Sequence, residues 1–301
     1  MLNASQLKGI IPAIPTPIHN DNTIDPIALK FLFEWILPRG IDGVLPLGGT
    51  GEYGALSRRE RIRMAELSVQ EAAGKIPVIP GILDPGFFDA QETGKEFASA
   101  GVDALLVLTP YYTNPSQDGI RDYFLRYADS SPVPILIYEI PYRTRIAIEP
   151  RIIHELSRHE RIIGMKACNT DMYHFLQVMA GIGPDFSVLS GEDSLFPLHM
   201  GAGAHGGIIV TATMFPKFWK QLYKLGKAGQ IAEAIALHRK MIPLLNLAFS
   251  ETNPGPMKAV WDLINVHAPA VLTPLTPCGS AIATALRQAA TKQIVASEQV
   301  G

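Results

Sequence analysis

The sequence predicts an α/β protein, a (β/α)8 TIM barrel with a C-terminal helical extension. Eight short apolar runs alternate with amphipathic helical patterns along residues 1–214. The runs are almost continuously apolar, as in parallel strands whose two faces are both covered by helices. Residues 215–301 show only helical periodicity. We therefore predict a barrel domain at 1–214 and a helical region docked on it at 215–301.

The eight predicted strands are short runs bounded by Gly, Pro or polar residues. In chain order they cover residues 9–14, 43–47, 78–82, 104–108, 135–138, 162–166, 187–189 and 207–210. A helix predicted after the second strand begins at Ser57, and Glu60 three residues later completes the pattern of a capping box. Eight strands is the number that this barrel requires, so each run is assigned to one of its strands.

The composition excludes several classes of function. The 301-residue chain is 47% apolar and 18% charged, with a net charge of -2, which is typical of a globular enzyme. No cluster of Lys and Arg interleaved with aromatic residues predicts a nucleic-acid surface. No apolar segment approaches the roughly 20 residues of a membrane span. We expect a soluble, cytoplasmic protein with no nucleic-acid or membrane partner.

The cysteines, histidines and glycines give no metal or nucleotide motif. Cys168 and Cys278 match neither a metal-ligand spacing nor a disulfide framework, and the eight histidines lack an H-E-x-x-H grouping. Residues 201–206 read G-x-G-x-x-G, but they precede a strand, whereas the nucleotide fingerprint follows one and opens a helix. We expect no metal and no cofactor, and interpret these glycines as a close approach of backbones.

Lys166 is the strongest candidate for chemistry, because it stands in the apolar run 161–168 that contains the sixth predicted strand. Burying a charged lysine is costly unless it is paired, and desolvation favours the neutral amine. A neutral amine attacks a ketone to form a Schiff base. The structural alternative is a lysine at a strand end that extends its ammonium into solvent.

Polar and glycine-rich segments follow several predicted strands, at the end of the barrel where such barrels carry their chemistry. Residues 48–52 follow the second strand, 109–112 the fourth and 191–193 the seventh, while Tyr138 and Lys166 end the fifth and sixth. This convergence favours the catalytic interpretation of Lys166. Glycines 48, 49 and 51 can present backbone N–H groups to an anion, although a plain glycine turn is equally compatible.

Side chains near Lys166 have chemical and structural interpretations. Tyr138 beside a Schiff-base lysine is a suitable proton shuttle, although a tyrosine at a strand end is often core. Arg143 and Arg145 follow on a predicted loop, where a guanidinium binds a carboxylate through two hydrogen bonds or stays solvated. The tyrosine pair 111–112 fits the site or a subunit interface, which tyrosines frequently line.

Six segments match one family in order. They are Gly48-Gly-Thr-Gly-Glu52, Thr109-Pro-Tyr-Tyr112, Tyr138-Glu-Ile-Pro-Tyr-Arg-Thr144, Gly164-Met-Lys166, Ser190-Gly-Glu-Asp193 and Glu251-Thr-Asn-Pro-Gly-Pro-Met-Lys258. Covering essentially the whole chain, they resemble the signatures of the dihydrodipicolinate synthase / N-acetylneuraminate lyase family, closest to the synthase branch. The resemblance implies a (β/α)8 barrel with a C-terminal helical extension, a pyruvate-type Schiff base and usually a homotetramer, a dimer of dimers.

The resemblance also implies roles for particular residues. Lys166 would form the imine, Tyr138 would relay protons, and Tyr112 would reach the site across a dimer interface. Thr50 and nearby backbone amides would hold the carboxylate of the 2-oxo acid, and Arg143 would hold that of the second substrate. The substrate-binding residues predicted in this way are Gly49, Thr50, Arg143 and Ile208.

Several positions depart from the family pattern. Gly49 stands where a Thr or Ser hydroxyl usually joins the two tyrosines in a relay, as in some sugar-acid dehydratases. Glu139 replaces a usual Asn, and the pair 167–168 replaces Glu-Ala. Small residues and histidines of lysine-inhibited synthases are replaced by Tyr53, Arg58 and Arg61. These departures preserve the imine and leave open the second substrate and inhibition by lysine.

Three functions fit the sequence. The first is a Schiff-base lyase condensing pyruvate with an aldehyde, most simply aspartate semialdehyde, to give 4-hydroxy-tetrahydrodipicolinate in lysine biosynthesis. The second is a catabolic aldolase or dehydratase of a 2-keto-3-deoxy sugar acid or a related hydroxy-oxo acid. The third is a non-catalytic sensor of a 2-oxo acid, against which intact Lys166 and Tyr138 argue.

Overall fold

In a computed structural model, which describes residues 1–298, seven parallel strands form one curved sheet. The strands pair in the order β1-β7-β6-β5-β4-β3-β2. Their bounds are Gly9–Pro12 (β1), Gly81–Ile82 (β2), Leu105–Leu108 (β3), Ile135–Glu139 (β4), Ile162–Ala167 (β5), Ser187–Ser190 (β6) and Gly206–Ile209 (β7). Parallel pairing of consecutive strands puts all their carboxyl ends at one rim.

Val44 and Leu45, within the predicted second strand, close the sheet into a barrel. Isolated parallel bridges join Leu45 to Ala13 beside β1 and Val44 to Val78. The ladder stops there because Pro46 has no N–H to donate and Leu47 takes a left-handed conformation with φ 61°. The barrel is confirmed, but the prediction of a continuous strand at 43–47 was wrong.

Helices cover the outside of the barrel and form the C-terminal part of the described chain. They are α1 Pro26–Ile36, α2 Arg58–Ala72, α3 Phe87–Ser99, α4 Gln117–Ser130, α5 Pro141–Thr144, α6 Pro150–Leu156, α7 Met172–Gly181, α8 Phe196–Gly201, α9 Pro216–Lys227, α10 Ile231–Arg239, α11 Ile242–Ala248, α12 Gly255–Lys258 and α13 Ser280–Glu298. Short 3-10 helices lie at Leu37–Arg39, Thr211–Thr213 and Trp261–Ile264. Within residues 1–298, none of these helices has the length and apolar character that a membrane crossing needs.

Helix α9 fixes the start of the C-terminal region to the barrel. Its apolar face buries Phe218, Trp219 and Leu222, and the indole N–H of Trp219 donates to Thr211 Oγ1 at 3.0 Å. The helices predicted for 215–301 are present up to Glu298, and the last three positions lie outside the described residues. The division into two domains at 214/215 stays a prediction.

The capping box predicted at the start of α2 is formed only in half. Ser57 Oγ accepts a hydrogen bond from the Glu60 backbone N–H at 3.3 Å. The Glu60 carboxylate accepts from the backbone N–H of Ile24 at 3.1 Å and does not cap Ser57. A tertiary partner therefore replaces the local one, and Glu60 ties α2 to the segment before α1.

The glycine-rich segment before β7 permits the close backbone approach expected from its sequence. A Cβ on Gly206 would collide with the backbone of Gly9 in the neighbouring β1, with which Gly206 is paired. A side chain here would separate the two strands, so this position requires glycine.

Candidate active site

Neighbouring strands bring Tyr138 and Lys166 together at the carboxyl-terminal rim. The two residues are directly paired in the β4–β5 register, so both side chains point to the same face. Both are buried, with 4% and 5% of their surface exposed, and Lys166 Nζ lies 4.7 Å from the centroid of the Tyr138 ring. An amine and a phenol thus share one position at the end of the barrel.

Gly191, directly after β6, leaves the space that the Lys166 side chain occupies. A Cβ at this position would lie 3.0 Å from Lys166 Cε and would collide with the thiol of Cys168. Burial raises the pKa of Cys168 to about 12, although Lys166 opposes the shift. The thiol is therefore protonated at neutral pH, and its hydrogen bond to the Gly191 carbonyl, at 3.4 Å, holds it against the site wall.

Lys166 and Tyr138 open into a cavity of about 870 Å³. Its wall comes from the barrel rim and from the segment after α11. The residues that line it include Gly49, Thr50, Tyr138, Tyr142, Arg143, Lys166, Cys168, Glu192, Asp193, Val210, Glu251, Thr252 and Asn253. Within residues 1–298, Lys166 forms no ion pair, so its amine is not held by a carboxylate. This volume suits a small-molecule substrate.

A second buried lysine has a different environment. Lys258 is ion-paired with Glu52, and both side chains are fully buried. Lys258 also donates to the Ala270 carbonyl at 2.7 Å, and Glu52 accepts from the Leu272 N–H at 2.6 Å. Burial lowers the pKa of Lys258, while Glu52 opposes that shift. Together these contacts hold α12 and the segment that follows it against the glycine turn at 48–52. The role of the pair is therefore structural.

Breaking this pair should destabilise the fold. We expect Glu52→Gln or Lys258→Met to lower the free energy of unfolding by about 3 to 5 kcal/mol, because each leaves one buried charge unpaired. Chemical denaturation monitored by circular dichroism measures the change. Lys30→Met is the matched control, since Lys30 and Glu34 form an exposed pair at 3.9 Å, and it should change stability little. Equal stability of all three variants would contradict the structural role.

The glycine turn after the second strand position is conformationally constrained. Leu47 and Glu52 have φ values of 61° and 58°, which non-glycine residues rarely adopt. A Cβ on Gly51 would lie 2.6 Å from Leu47 N, so the turn cannot accept a side chain there. Among the described residues, the N–H groups of Gly49 and Thr50 donate to no acceptor. They remain available to an anion in the cavity.

Arg143 lies over the same turn. It belongs to α5, the single helical turn after β4, and its Nη1 would be 3.8 Å from a Cβ built on Gly49. The absent side chain of Gly49 thus leaves room that faces the guanidinium. Arg143 lines the cavity, whereas Arg145, which ends α5 with φ 63°, does not. One arginine of the predicted pair therefore faces the cavity.

Thr50 is buried and accepts a hydrogen bond from Asn253 Nδ2 at 2.7 Å. Its hydroxyl proton is therefore free to be donated to a ligand. Asn253 lies 203 positions away in the sequence, in the segment between α11 and α12. The wall of the site thus depends on the C-terminal region as well as on the barrel rim.

Two predicted site residues lie outside the cavity. Tyr112 is 94% exposed and has a φ of 68°, a strained value for an aromatic residue. Ile208 is fully buried in β7 and paired with Ile11, while Val210, directly after the strand, lines the cavity. The structure therefore groups Lys166, Tyr138, Gly49, Thr50 and Arg143 and separates Tyr112 and Ile208 from them.

Glu192 and Asp193 follow β6 but have different surroundings. Asp193 accepts from Val210 N at 3.0 Å and from Thr211 N and Oγ1 at 2.8 and 2.6 Å, so its carboxylate is occupied. Glu192 faces the cavity, and its buried Oε1 has no hydrogen-bond partner among the described residues. Burial and the neighbouring Asp193 raise the pKa of Glu192 to about 7, while Lys166 opposes the shift.

Glu139 lies behind the site, on the opposite face of β4 from Tyr138. It is fully buried, and its Oε1 lies 3.2 Å from His174 Nε2 and accepts from the Ile148 N–H at 3.2 Å. Burial lowers the pKa of His174, but Glu139 outweighs it and the net shift is upward. Glu139 thereby connects β4 to α7 and to the segment between α5 and α6.

Sequence reasoning did not assign functional roles to several cavity residues. They are Tyr142, Glu192, Thr252 and Asn253. Glu192 carried a signal, since it follows the seventh predicted strand at the chemical end of the barrel. The segment 251–253 carried none beyond its family resemblance, because no strand pattern places it near the rim.

Among residues 1–298, no three His, Cys, Asp or Glu side chains gather in a metal-binding arrangement. Fold and site together define a (β/α)8-barrel protein with a lysine and a tyrosine in its rim cavity. The chain belongs to the dihydrodipicolinate synthetase family, whose model matches residues 6–293.

Individual relatives agree with this assignment. The chain is 34% identical over 283 residues to the 4-hydroxy-tetrahydrodipicolinate synthase of Acidiphilium cryptum (strain JF-5), covering 94% of this chain and 97% of that one. The dihydrodipicolinate synthase of Acinetobacter baumannii, solved with pyruvate, has a TM-score of 0.91 at 29% identity, covering 96% and 99% of the two chains. A monomeric dihydrodipicolinate synthase variant has a TM-score of 0.92 at 26% identity, covering 96% and 98%.

Proposed function

We propose that this protein is a Schiff-base lyase that condenses pyruvate with aspartate semialdehyde to give 4-hydroxy-tetrahydrodipicolinate. The observation that carries the proposal is the pairing of Lys166 with Tyr138 in adjacent strands, 4.7 Å from amine to ring centroid, beside a cavity of suitable size. The name of the Acidiphilium relative and the pyruvate complex of the Acinetobacter structure support the same reaction.

Pyruvate binding follows from the groups around the glycine turn. The N–H groups of Gly49 and Thr50 and the Thr50 hydroxyl donate to the pyruvate carboxylate. The carbonyl carbon then points to Lys166. Several hydrogen bonds to one carboxylate fix its orientation, so the keto group meets the amine in one geometry.

The chemical steps use Lys166 and Tyr138. The amine of Lys166 adds to C2 of pyruvate, the carbinolamine oxygen takes a proton and leaves as water, and an iminium remains. Loss of a proton from C3 gives an enamine, which forms a carbon–carbon bond to the aldehyde as the aldehyde oxygen takes up a proton and the iminium at C2 is restored. The amino group of the former aldehyde then loses a proton and attacks C2, and the C2–nitrogen bond to Lys166 breaks, which closes the ring and frees the lysine amine. Burial raises the pKa of Tyr138 well above its ordinary value, so its phenol is protonated and donates in these steps.

Arg143 is proposed to hold the carboxylate of the second substrate. We expect Arg143→Ala to raise the KM for aspartate semialdehyde by about 10- to 150-fold, equivalent to the roughly 1.5 to 3 kcal/mol of a charge-assisted hydrogen bond. Steady-state kinetics at saturating pyruvate measure this change. The half-saturating pyruvate concentration for borohydride trapping should stay unchanged. A loss of trapping would show that Arg143 serves the first substrate and would contradict its assignment.

A second candidate is an aldolase or dehydratase of a 2-keto-3-deoxy sugar acid or a related hydroxy-oxo acid. The observation in its favour is Gly49, which lacks the hydroxyl of a proton relay and leaves space facing the Arg143 guanidinium. That space can admit a water or a hydroxyl of a larger substrate. Both candidates share the imine and the enamine, and they differ in whether the enamine attacks an aldehyde or expels a leaving group.

Filling the space at Gly49 distinguishes the two candidates. In a synthase, Gly49→Thr should preserve or raise the condensation rate, because the hydroxyl restores a relay near Tyr138. In an aldolase or dehydratase it should lower the native rate, because it excludes a group that the substrate needs. Gly49→Ala is the control for volume, since its Cβ would meet only ordinary contacts with Arg143. Initial rates with each substrate set give the comparison.

Product analysis is the direct test of the function. Purified protein is incubated with pyruvate plus aspartate semialdehyde, or with 2-keto-3-deoxy sugar acids and hydroxy-oxo acids, and the products are identified by mass spectrometry. Formation of 4-hydroxy-tetrahydrodipicolinate supports the synthase, and cleavage or dehydration of the second set supports the alternative. Saturable pyruvate binding without turnover of any substrate would identify a 2-oxo acid sensor.

The assembly is proposed to be a homotetramer in which Tyr112 enters the site of a neighbouring copy. Its full exposure and strained backbone support a contact made outside its own chain. Molar mass from light scattering tests the assembly. A purely monomeric protein that is fully active would contradict it, and one related synthase variant is itself monomeric. The cytoplasmic location stays a prediction.

A further inference from the structure

One carboxyl oxygen in the cavity is left without a hydrogen-bond partner among residues 1–298. Glu192 lines the cavity beside Lys166, and its Oε1 is buried without a hydrogen-bond partner among the described residues. A buried, unpaired carboxylate oxygen is costly, because it has lost water and gained nothing in exchange. A partner supplied by a bound ligand removes that cost.

The other acidic residues of the cavity wall are already occupied. Asp193 accepts three hydrogen bonds from residues 210 and 211, and Glu251 accepts from the Gly279 N–H at 2.9 Å. Within residues 1–298, Glu192 is therefore the acidic residue of the cavity with a buried, unused acceptor, and the neutral amide oxygen of Asn253 is the other unused acceptor there. A carboxylate in this position recognises a hydrogen-bond donor and repels an acid.

Arg143 and Tyr142 line the same cavity as Glu192, and the charge of Arg143 lowers the pKa of that carboxyl. A guanidinium and a carboxylate facing one cavity match a ligand that carries an acidic and a donor group close together. We propose that Glu192 is a specificity-determining residue that accepts a hydrogen bond from an ammonium or hydroxyl group adjacent to the carboxylate that Arg143 holds. This inference rests on the proposed function, because it assigns a subsite for the second substrate.

The two donors correspond to the two candidate reactions. In aspartate semialdehyde the donor is an ammonium on the carbon that bears the carboxylate, and in a hydroxy-oxo acid it is a hydroxyl. Both are satisfied by a carboxylate acceptor. The ammonium and the hydroxyl differ in charge, so a glutamine at position 192 distinguishes the two donors. Its amide oxygen accepts a hydrogen bond from a hydroxyl but offers no negative charge to an ammonium.

The ionisation of Glu192 supports an ammonium partner. Burial and Asp193 raise its pKa to about 7, while Lys166, Tyr142 and Arg143 lower it. The carboxylate form, which binds an ammonium, predominates above this pKa, and the acid form predominates below it. Affinity for an ammonium-bearing substrate should therefore fall as the pH drops from 8 to 6, by roughly tenfold per unit below the pKa at most, and a glutamine at position 192 should remove this dependence.

Two matched probe pairs test the proposal. Pyruvate is first fixed to Lys166 with borohydride, which prevents turnover, and calorimetry measures the binding of aspartate semialdehyde and of succinate semialdehyde, which lacks the ammonium. In the second pair, 4-hydroxy-2-oxoglutarate and 2-oxoglutarate compete as trapping substrates on the free protein. Both pairs are measured for wild type, Glu192→Gln and Glu192→Ala, with Glu34→Gln on the surface as the control substitution.

An ammonium subsite predicts that wild type prefers aspartate semialdehyde by about 10- to 100-fold and that both Glu192 variants lose this preference. A hydroxyl subsite predicts a preference for 4-hydroxy-2-oxoglutarate that Glu192→Gln keeps and Glu192→Ala loses. Unchanged trapping of pyruvate at Lys166 shows that each variant is folded. Equal preferences in wild type and both variants, for both pairs, would overturn the proposal.

The proposed function can fail separately. Absence of condensation between pyruvate and aspartate semialdehyde, together with a Glu192-dependent preference in the hydroxyl pair, would reject the synthase and retain the subsite. Efficient condensation, with probe preferences that are the same in wild type and in both Glu192 variants, would retain the synthase and reject the subsite.

Discussion

Lys166→Ala should abolish irreversible labelling of the protein by pyruvate and borohydride and should eliminate turnover. An imine requires a primary amine that reaches the substrate carbonyl, and Lys166 is the lysine that lines the cavity. Lys258 is equally buried, but its amine is held by Glu52 and by the Ala270 carbonyl. Intact-protein and peptide mass spectrometry measure the label and its position.

Lys217→Met is the control for this experiment. Lys217 pairs with Glu298 at 3.0 Å on the outside of the protein, so its replacement should leave labelling at Lys166 complete. Circular dichroism should show that Lys166→Ala keeps its fold, because alanine removes the amine from the cavity wall without breaking an ion pair. A label found on Lys217 or Lys258 would refute the assignment of the imine.

Tyr138→Phe should slow turnover by about 10² to 10⁴, the usual contribution of one positioned acid-base group. The phenol is the proposed proton donor beside Lys166, and phenylalanine keeps the ring that lies 4.7 Å from the amine. Pyruvate binding should therefore survive, with a similar half-saturating concentration for slow trapping. Stopped-flow measurement of imine formation and steady-state kinetics separate the two effects.

Tyr142→Phe is the matched comparison, because Tyr142 also lines the cavity but is half exposed on α5. We expect a smaller effect on turnover than that of Tyr138→Phe, since the Tyr142 ring is not paired with Lys166 in the sheet. Unchanged turnover in Tyr138→Phe would mean that another group or a water molecule carries the proton.

The alternation of apolar strands and amphipathic helices was sufficient to predict the barrel. Because parallel strands of a barrel end at one rim, the same pattern placed Lys166, Tyr138 and the 48–52 turn together without knowledge of any contact. Period and position along the chain are local properties of a sequence. For this reason the central pair of the candidate site could be recognised from residues alone.

The local sequence pattern was insufficient to predict a hydrogen bond where a partner distant in sequence competes with a nearby one. Glu60 was predicted to cap its own helix, but it binds the backbone of Ile24, 36 positions away. The second predicted strand contains Pro46 and a left-handed Leu47. Whether these residues interrupt strand pairing depends on which backbone groups of the neighbouring strands face them. Sequence periodicity carries no information about such pairings.

By itself, the sequence determined the fold class and predicted that the lysine and the tyrosine stand at the ends of strands, because hydrophobic periodicity and strand ends can be read within short windows of sequence. Only the tertiary structure showed that Lys166 has no ion-pair partner within residues 1–298, while Lys258 is neutralised by Glu52, which lies 206 positions away. It alone showed that Asn253 donates a hydrogen bond to Thr50 and that Glu192 has a buried oxygen with no partner in the part of the chain that the structure describes. Pairing and desolvation arise from groups that meet only when distant segments pack, and they decide which charged residues remain available for chemistry.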